Sequence, residues 1–438
     1  MRDMRNPENV LNSLSKHSGN LNYKFERLYR VLFNEEMFYV AYQNIYSKTG
    51  NMTAGADGKT IDGMSIDRVE QLIDSLKNET YQPNPSKRTY IPKKNGKKRP
   101  LGIPSFDDKL VQEVVRMILE AIYEGSFEHT SHGFRPKRSC HTALIDIQKT
   151  FTAVKWFIEG DIKGFFDNIN HDVLINILRE RIADERFLRL IRKFLNAGYV
   201  EDWVFHRTYS GTPQGGIISP ILANIYLDKF DKYIKEYTNR FNKGVTRKGD
   251  ARYKLYEQRR YRLAKKLKNE KDVKVRELMT AEIKRLREER NNYPARNEMD
   301  SSIKRLKYVR YADDFLIGIT GSLEDCKTVK EDIKNYLNEA LKLELSDEKT
   351  LITNAQKPAK FLGYDVFIRR CNDLRKDKFG RTVRAFGHKP VLYLNFETMR
   401  KKLFDYKVAR IAVVNGKEVW KSIVRTYMLN LDDLEIVS

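Results

Sequence analysis

Leu306-Lys307-Tyr308-Val309-Arg310-Tyr311-Ala312-Asp313-Asp314-Phe315-Leu316-Ile317-Gly318-Ile319 is an apolar, strand-forming run interrupted by two adjacent aspartates. Asp is among the poorest strand formers. Two neighbouring carboxylates flanked by Tyr308, Val309, Phe315, Leu316 and Ile317 repel one another and lose solvation. Divalent cations relieve both costs, and hard cations such as Mg²⁺ take oxygen ligands. An Asp-Asp hairpin turn with nothing bound is the alternative, and these four residues alone do not separate the two.

Upstream, Trp156 to Ile162 forms a second apolar strand, ending on the carboxylate of Asp161, 152 positions before Asp313. Phe165-Phe166-Asp167 and a helix from Asp172 follow. Gly211-Thr212-Pro213-Gln214-Gly215-Gly216 is a glycine-rich loop leading to Ser219-Pro220, read as an N-cap with proline at the first helical position. The helix carries Ile221, Leu222, Ile225, Tyr226, Phe230 and Ile234 on one side. Helical periodicity also marks 21–77 (with a break at Gly55–Gly58), 109–123 and 141–154. Between Arg88 and Leu101 lies a basic hairpin with Asn95-Gly96 at its tip and five Lys or Arg around it, suited to phosphate or simply solvated.

The 438-residue chain has room for two or three domains, and its 41% hydrophobic content is that of a globular protein. Its net charge of +23 points to a polyanionic partner, most simply nucleic acid. Cys140, Cys326 and Cys371 are too few and too scattered for a disulfide scaffold or a cysteine zinc site. With no membrane-length apolar stretch and no apolar signal core at the N-terminus, a cytoplasmic protein without a membrane partner is expected. Residues 237 to 304 differ in texture, with Lys and Arg outnumbering Asp and Glu about two to one. One or two helices are expected there, with an apolar stripe at Val275, Leu278, Met279, Ile283 and Leu286 and an i,i+4 pair of Glu270 with Lys274. RNA binding and a merely solvated hairpin are both open for this stretch.

Nucleotidyl transfer requires carboxylates from separate strand ends to converge where two cations can stabilise attacking and leaving oxygens. Asp161, Asp313 and Asp314 are the candidates, with the carbonyl of Ile162 as a neutral ligand. Lys93 and Arg99 can neutralise triphosphate charge. Gln214 and Gly215 belong to a loop whose glycines let backbone approach a nucleotide closely. The Phe166 ring can exclude a 2′ hydroxyl, although spacing alone favours its alternative role in core packing.

Leu101-Gly102-Ile103-Pro104, His132-Gly133-Phe134-Arg135-Pro136, Asp161 to Asp167, Gly211 to Gly216, Tyr311 to Asp314 and Phe361-Leu362-Gly363-Tyr364 occur in this order. Together, over residues 21 to 370, they resemble the reverse transcriptase domain of bacterial group II intron-encoded proteins, the maturases. The resemblance implies an α+β right-hand polymerase with helix-rich fingers and an antiparallel-sheet palm backed by helices. It implies copying of an RNA template from a DNA primer with dNTPs and two Mg²⁺, and binding of the group II intron RNA to assist splicing and retrohoming. It assigns Asp161, Asp313 and Asp314 to metal, Lys93 and Arg99 to triphosphate, Phe166 to the 2′ gate, and Gln214 to nucleotide or template. Lys349 resembles the lysine that protonates pyrophosphate, and Phe361 to Tyr364 the primer-gripping hairpin.

The expected organisation is an N-terminal helical extension over 1–80, fingers over 81–155 and palm over 156–236, with a fingers part around 172–215. A basic helical insertion over 237–305 follows, then palm again over 306–375 with the primer-grip hairpin. The start of a helical thumb over 376–438 is expected to be cut short. No His-Asn-His endonuclease signature is present, and a homodimer is left open. Two rivals are an RNA-binding splicing cofactor with a vestigial polymerase site and an RNA-dependent RNA polymerase. The competent residue at every matched catalytic position weighs against decay.

Overall fold

The computed structural model of the chain describes residues 6–92, 96, 98–212, 215–297, 300–369, 374–376, 378, 380, 382–384, 388–414 and 417–422. Helix α1, Pro7–Lys16, opens the described chain; the Asn6 side chain caps it by accepting from the Glu8 and Asn9 amides. In the region read as helical over 21–77, a short 3₁₀ segment, Leu28–Phe33, precedes α2 (Glu35–Tyr46) and α3 (Ile66–Lys77). The 3₁₀ segment begins after Arg27, whose φ of 55° breaks any continuous helix there.

Strands β1 (Ser86–Pro92) and β2 (Lys98–Ile103) form the basic hairpin, with Pro92 opposite Lys98 as the last pair. Its connection is therefore longer than a two-residue Asn-Gly turn, and of it only Gly96 lies within the described residues. Helices α4 (Phe106–Tyr123) and α5 (Cys140–Thr150) lead to β3 (Trp156–Asp161). After it come the single turn α6 (Phe165–Asn168), α7 (His171–Arg179), α8 (Glu185–Asn196) and the short strands β4 (Tyr199–Glu201) and β5 (Val204–His206). β4 joins the edge of β1 in parallel, making a sheet ordered β2-β1-β4-β5.

Helix α9 spans Ser219–Phe241 with Ile218, not Ser219, at the N-cap; helix-like backbone at Ile218 (φ −80°, ψ −17°) starts the first turn one residue early. Helices α10 (Ala251–Asn269) and α11 (Val273–Asn291) follow. Asp272 caps α11, so Glu270 and Lys274 lie in different elements and form no i,i+4 pair; Glu270 accepts instead from the Lys271 and Asp272 amides in the turn. Of the expected apolar stripe only Leu286 is buried, and Leu278 faces solvent.

β6 (Arg305–Tyr311) and β7 (Asp314–Thr320) form the hairpin anticipated from the opening run, and α12 (Leu323–Leu341) and β8 (Leu351–Asn354) complete the central sheet, ordered β6-β7-β3-β8. β9 (Ala359–Phe361) and β10 (Tyr364–Arg369) form a tight hairpin whose two turn residues, Leu362 and Gly363, both have positive φ, as this geometry demands. β11 (Leu374–Lys376), β12 (Thr382–Arg384), β13 (Lys389–Leu394), α13 (Phe396–Asp405), β14 (Ala409–Val414) and β15 (Lys417–Ser422) end the described chain. The acidic run Asp432 to Ser438 and Cys371 lie outside the described residues.

Alternation along the central strands explains why the sheet is covered on both faces. Leu306, Tyr308, Phe315, Ile317 and Ile319 point into the main core with Phe230 and Ile234 of α9 and Val329, Ile333 and Leu337 of α12. Val309, Leu316 and Phe157 point the other way, onto Leu144 and Ile147 of α5 and onto Val366 and Ile368 of β10. This is an α+β fold with an antiparallel sheet backed by helices. No helix among the described residues is long and apolar enough to cross a membrane.

Candidate active site

β3 and β7 pair antiparallel so that Asp161, the last residue of one, lies opposite Asp314, the first of the other. Asp313 sits in the two-residue turn that joins β6 to β7, next to Ala312 at φ 56°. Residues 152 positions apart in sequence thus share one end of one sheet. Asp314 stands exposed at the start of β7, yet partial desolvation of its carboxyl by the surrounding sheet end raises its pKa, and the charges of Asp313 and Asp161 raise it further, to about 6 despite the opposing pull of Lys349. Asp313 is raised too, mainly by burial and then by Asp161, while Arg99 and Lys349 act the other way. The β1-β2 hairpin therefore brings Arg99 within electrostatic reach of the acidic turn.

Lys349 Nζ donates to Asp161 Oδ2 at 2.8 Å. The loop before β8 holds it there: Ser346 N donates to Asp161 O at 2.9 Å, and Ile162 bridges to Leu345. Proximity to all three carboxylates raises the Lys349 pKa, the bond to Asp161 most strongly, so its ammonium stays charged. Among the described residues no three His, Cys, Asp or Glu side chains are grouped so that they could hold a metal ion as they stand, and Lys349 supplies the positive charge at Asp161. Asp161, Asp313 and Asp314 lie at one end of the sheet and oppose one another's ionisation, which is the donor chemistry a hard divalent cation takes.

Phe166 follows five residues after Asp161, at the start of α6. Its ring packs edge-on against Phe165 and Phe134, with centroids 5.3 and 6.3 Å away. Its other side borders a cavity of about 320 Å³, also lined by Arg88, Tyr199, Arg207, Tyr209 and Thr212. Arg88 lies over the Tyr199 ring at 3.7 Å, on the wall formed by β1 and β4. The glycine-rich loop docks here, Thr212 N donating to Phe166 O at 2.7 Å and Gly211 N to Ile169 O at 2.8 Å. Gly215 has φ 121°, and a Cβ there would stand 2.4 Å from the Gly102 carbonyl oxygen of β2. Lys93 and Gln214 lie outside the described residues.

Sequence reading missed what holds the acidic turn in place. Arg310 and Asp231 are fully buried. Arg310 Nε and Nη2 donate to Asp231 at 2.8 and 2.6 Å, and Tyr308 OH donates to the same carboxylate at 2.7 Å. The remaining Arg310 donors reach the Ala312 carbonyl at 2.8 Å, Asn224 Oδ1 at 3.2 Å and Ser131 Oγ at 2.7 Å. Burial disfavours the guanidinium charge, but Asp231 outweighs it and the Arg310 pKa rises. Arg310 thus clamps the turn from beneath through the residue beside Asp313.

The His132-Gly133 backbone closes the turn from the side. His132 N donates to Arg310 O at 2.9 Å, and Asn224 Nδ2 donates to Gly133 O at 2.8 Å. Arg135 fixes this loop by donating to the carbonyls of Glu128 and Ser131 at 2.7 and 2.9 Å. A usable signal existed for the network: Asn224, Asp228 and Asp231 recur at i, i+4 and i+7 along α9 as a polar stripe that the structure buries, and Arg310 falls on the core-facing alternation of β6.

Comparison with known proteins accords with this arrangement. The family model for reverse transcriptase (RNA-dependent DNA polymerase) matches residues 91–250 and 284–366. The group II intron-encoded protein LtrA of Lactococcus lactis subsp. cremoris is 45% identical over 98% of this chain and 71% of its own length. The chain belongs to the group II intron-encoded reverse transcriptases. This reverse transcriptase is also 38% identical to the putative COX1/OXI3 intron 1 protein of Saccharomyces cerevisiae, over 86% of this chain and 43% of that one. It is 34% identical to protein YkfC of Escherichia coli, over 79% of this chain and 84% of that one. Asp161, Asp313 and Asp314, the Gly133 loop, the Gly215 loop and β9–β10 up to Val366 of the reverse transcriptase all fall within the family match.

Proposed function

We propose that the chain copies an RNA template into DNA from a DNA primer, using dNTPs, and binds its group II intron RNA to assist splicing and mobility. The observation that carries the reading is the opposition of Asp161 and Asp314 beside Asp313, at the end of a sheet that also receives Arg99 and Lys349. The bond formed is from the primer 3′ oxygen to the α-phosphorus; the bond broken releases pyrophosphate. Asp161, Asp313, Asp314 and the Ile162 carbonyl would hold two Mg²⁺, which when bound supply charge neutralisation at the attacking and leaving oxygens.

The chain's own residues do the rest by position. Arg99, within electrostatic reach of the acidic turn, offsets triphosphate charge, a role Lys93 shares. Gly215 allows the loop carrying Gln214 to approach nucleotide and template. The Phe166 ring, buttressed on one side by Phe165 and Phe134, occupies the space a 2′ hydroxyl needs. Lys349 holds a proton at Nζ that it can pass to the departing pyrophosphate. β9 and β10 grip the primer end.

Extension of a labelled DNA primer on an RNA template, with Mg²⁺ or with chelator, tests the proposal. Product should appear only with the metal and vanish in Asp313→Ala and in Asp314→Ala. Extension that persists in either variant would overturn it.

A further inference from the structure

The family match stops at residue 250 and resumes at residue 284, whereas the alignment with the Lactococcus intron-encoded relative covers 98% of the chain. Helix α10 and the first half of α11 are thus outside what reverse transcriptases at large share.

α10 carries eight Lys and Arg and one acid, Glu257. That acid is turned inward: Glu257 accepts from Arg260 at 2.5 Å and from Arg290 of α11 at 2.8 Å. These bonds hold its pKa down at about 2. Tyr256 stacks on Tyr293 on the same inner side, with centroids 5.7 Å apart. Left outside are Lys254, Gln258, Tyr261, Arg262, Lys265 and Lys268, all exposed. At 3.6 residues per turn they share one face, about 21 Å long.

No carboxylate interrupts that face. A face kept merely for solubility mixes its signs, as α11 does with six basic and four acidic residues. α10 also buries none of its side chains, so core packing does not account for it. Tyr261, 67% exposed amid the positive charge, adds an aromatic ring of the kind that packs on sugar or base.

We infer that this face of α10 docks the phosphate backbone of structured intron RNA, apart from the polymerase site. The inference rests on the proposed binding of intron RNA. Uniform positive charge at helical spacing complements a polyphosphate chain, and such contacts are read out by salt dependence.

The test uses the full chain and a variant carrying Lys254→Gln, Arg262→Gln, Lys265→Gln and Lys268→Gln; Gln retains helix propensity. Both are titrated with a transcribed group II intron RNA over a range of KCl, and both are assayed for primer extension on a short RNA template. The neutralised variant should bind intron RNA at least about tenfold more weakly, with a log K against log salt slope smaller by about 3. Its extension on the short template should stay within about twofold of the parent chain's. A second variant that swaps Lys for Arg and Arg for Lys at the four positions should bind like the parent, which separates charge from folding. Unchanged affinity and slope overturn the inference, as does extension that falls in step with binding. Loss of self-association with RNA affinity intact would assign the face to a protein partner and overturn it too. A parent chain that binds the RNA but fails to extend the primer sinks the polymerase proposal and leaves this one standing.

Discussion

Asp161 and Asp314 are cross-strand partners: the last residue of β3 lies opposite the first of β7, with Asp313 one position back in the turn. Like charges opposite one another weaken a sheet, and partial desolvation of the carboxyl adds to the cost, which is why Asp314 is pushed up to about 6. Asp314→Asn should therefore separate activity from stability. Primer extension should fall at least about a hundredfold, the scale for losing one preorganised electrostatic group. The thermal midpoint of the metal-free chain at neutral pH should hold or rise, because the variant removes a charge the fold resists. A fall in both would mean that Asp314 is a structural residue first. Calorimetry beside an extension assay decides it.

The Arg310–Asp231 pair makes a second case, since both side chains are shut away from solvent. Removing one partner of a buried pair strands the other charge and costs about 3–5 kcal/mol. Arg310→Ala and Asp231→Ala should each destabilise on that scale, and the double variant should cost much less than their sum. Arg310→Lys keeps the charge but cannot supply the guanidinium fork that reaches Asp231, Ser131, Asn224 and the Ala312 carbonyl together. It should fold with a slowed kcat, because the turn bearing Asp313 is held less firmly. Additive losses in urea melts would show that the two residues act independently.

Residues that interact with their sequence neighbours or follow a strict period were readable without coordinates. The alternation from Leu306 to Ile319 placed both strands and the aspartate turn between them. The apolar side of α9 was legible in Ile221, Leu222, Ile225, Tyr226, Phe230 and Ile234, every one of which is buried. What escaped were features fixed by distant contacts. The alternation of β6 points Arg310 into the core, but nothing local names the partner that neutralises it there, Asp231 of α9, 79 residues away in sequence. Lys349 was singled out only through family resemblance, as a proton donor to pyrophosphate; its own neighbourhood, Ser346-Asp347-Glu348, gives no hint of the 2.8 Å bond to Asp161. The Glu270–Lys274 pair failed because Asp272 starts a new helix between them. A cap is a local signal, and it outranks a side-chain pair worth a few tenths of a kcal/mol.

Gly133 is where the His132 loop meets the turn that carries Asp313. A Cβ at this position would stand 2.3 Å from Ala312 N and 3.1 Å from both Ala312 Cα and Tyr311 C. All three are backbone atoms, so no side chain can swing away, and the turn itself must shift. Gly133→Ala should cost about 1–3 kcal/mol, the scale for overpacking. Extension should fall by more than that loss of folded protein accounts for, because the displaced segment adjoins Asp313. Titration of folded fraction against activity checks this; activity that simply tracks folded fraction would place Gly133 in packing alone.

Phe166 has two faces, and the substitution that distinguishes them is Phe166→Ala. One face touches Phe165 and Phe134; the other borders the cavity beside Thr212 and Tyr199. Because the ring is only half-buried, truncation should cost less than the about 3–5 kcal/mol of a fully buried phenylalanine. If the ring occupies the place of a 2′ hydroxyl, the variant should gain ribonucleotide use relative to deoxyribonucleotide by roughly tenfold to a hundredfold, the range open to steric discrimination of one small group. The gain should appear as a ratio of kcat/KM values, with dNTP incorporation reduced only modestly. A core residue without gating function would behave differently: incorporation of both sugars would fall together and the ratio would stay put. Steady-state single-nucleotide insertion with matched rNTP and dNTP pairs reads that ratio directly. Phe134→Ala serves as the companion, since it removes the buttress 6.3 Å away without opening the cavity wall. It should loosen sugar selection by less than Phe166→Ala does.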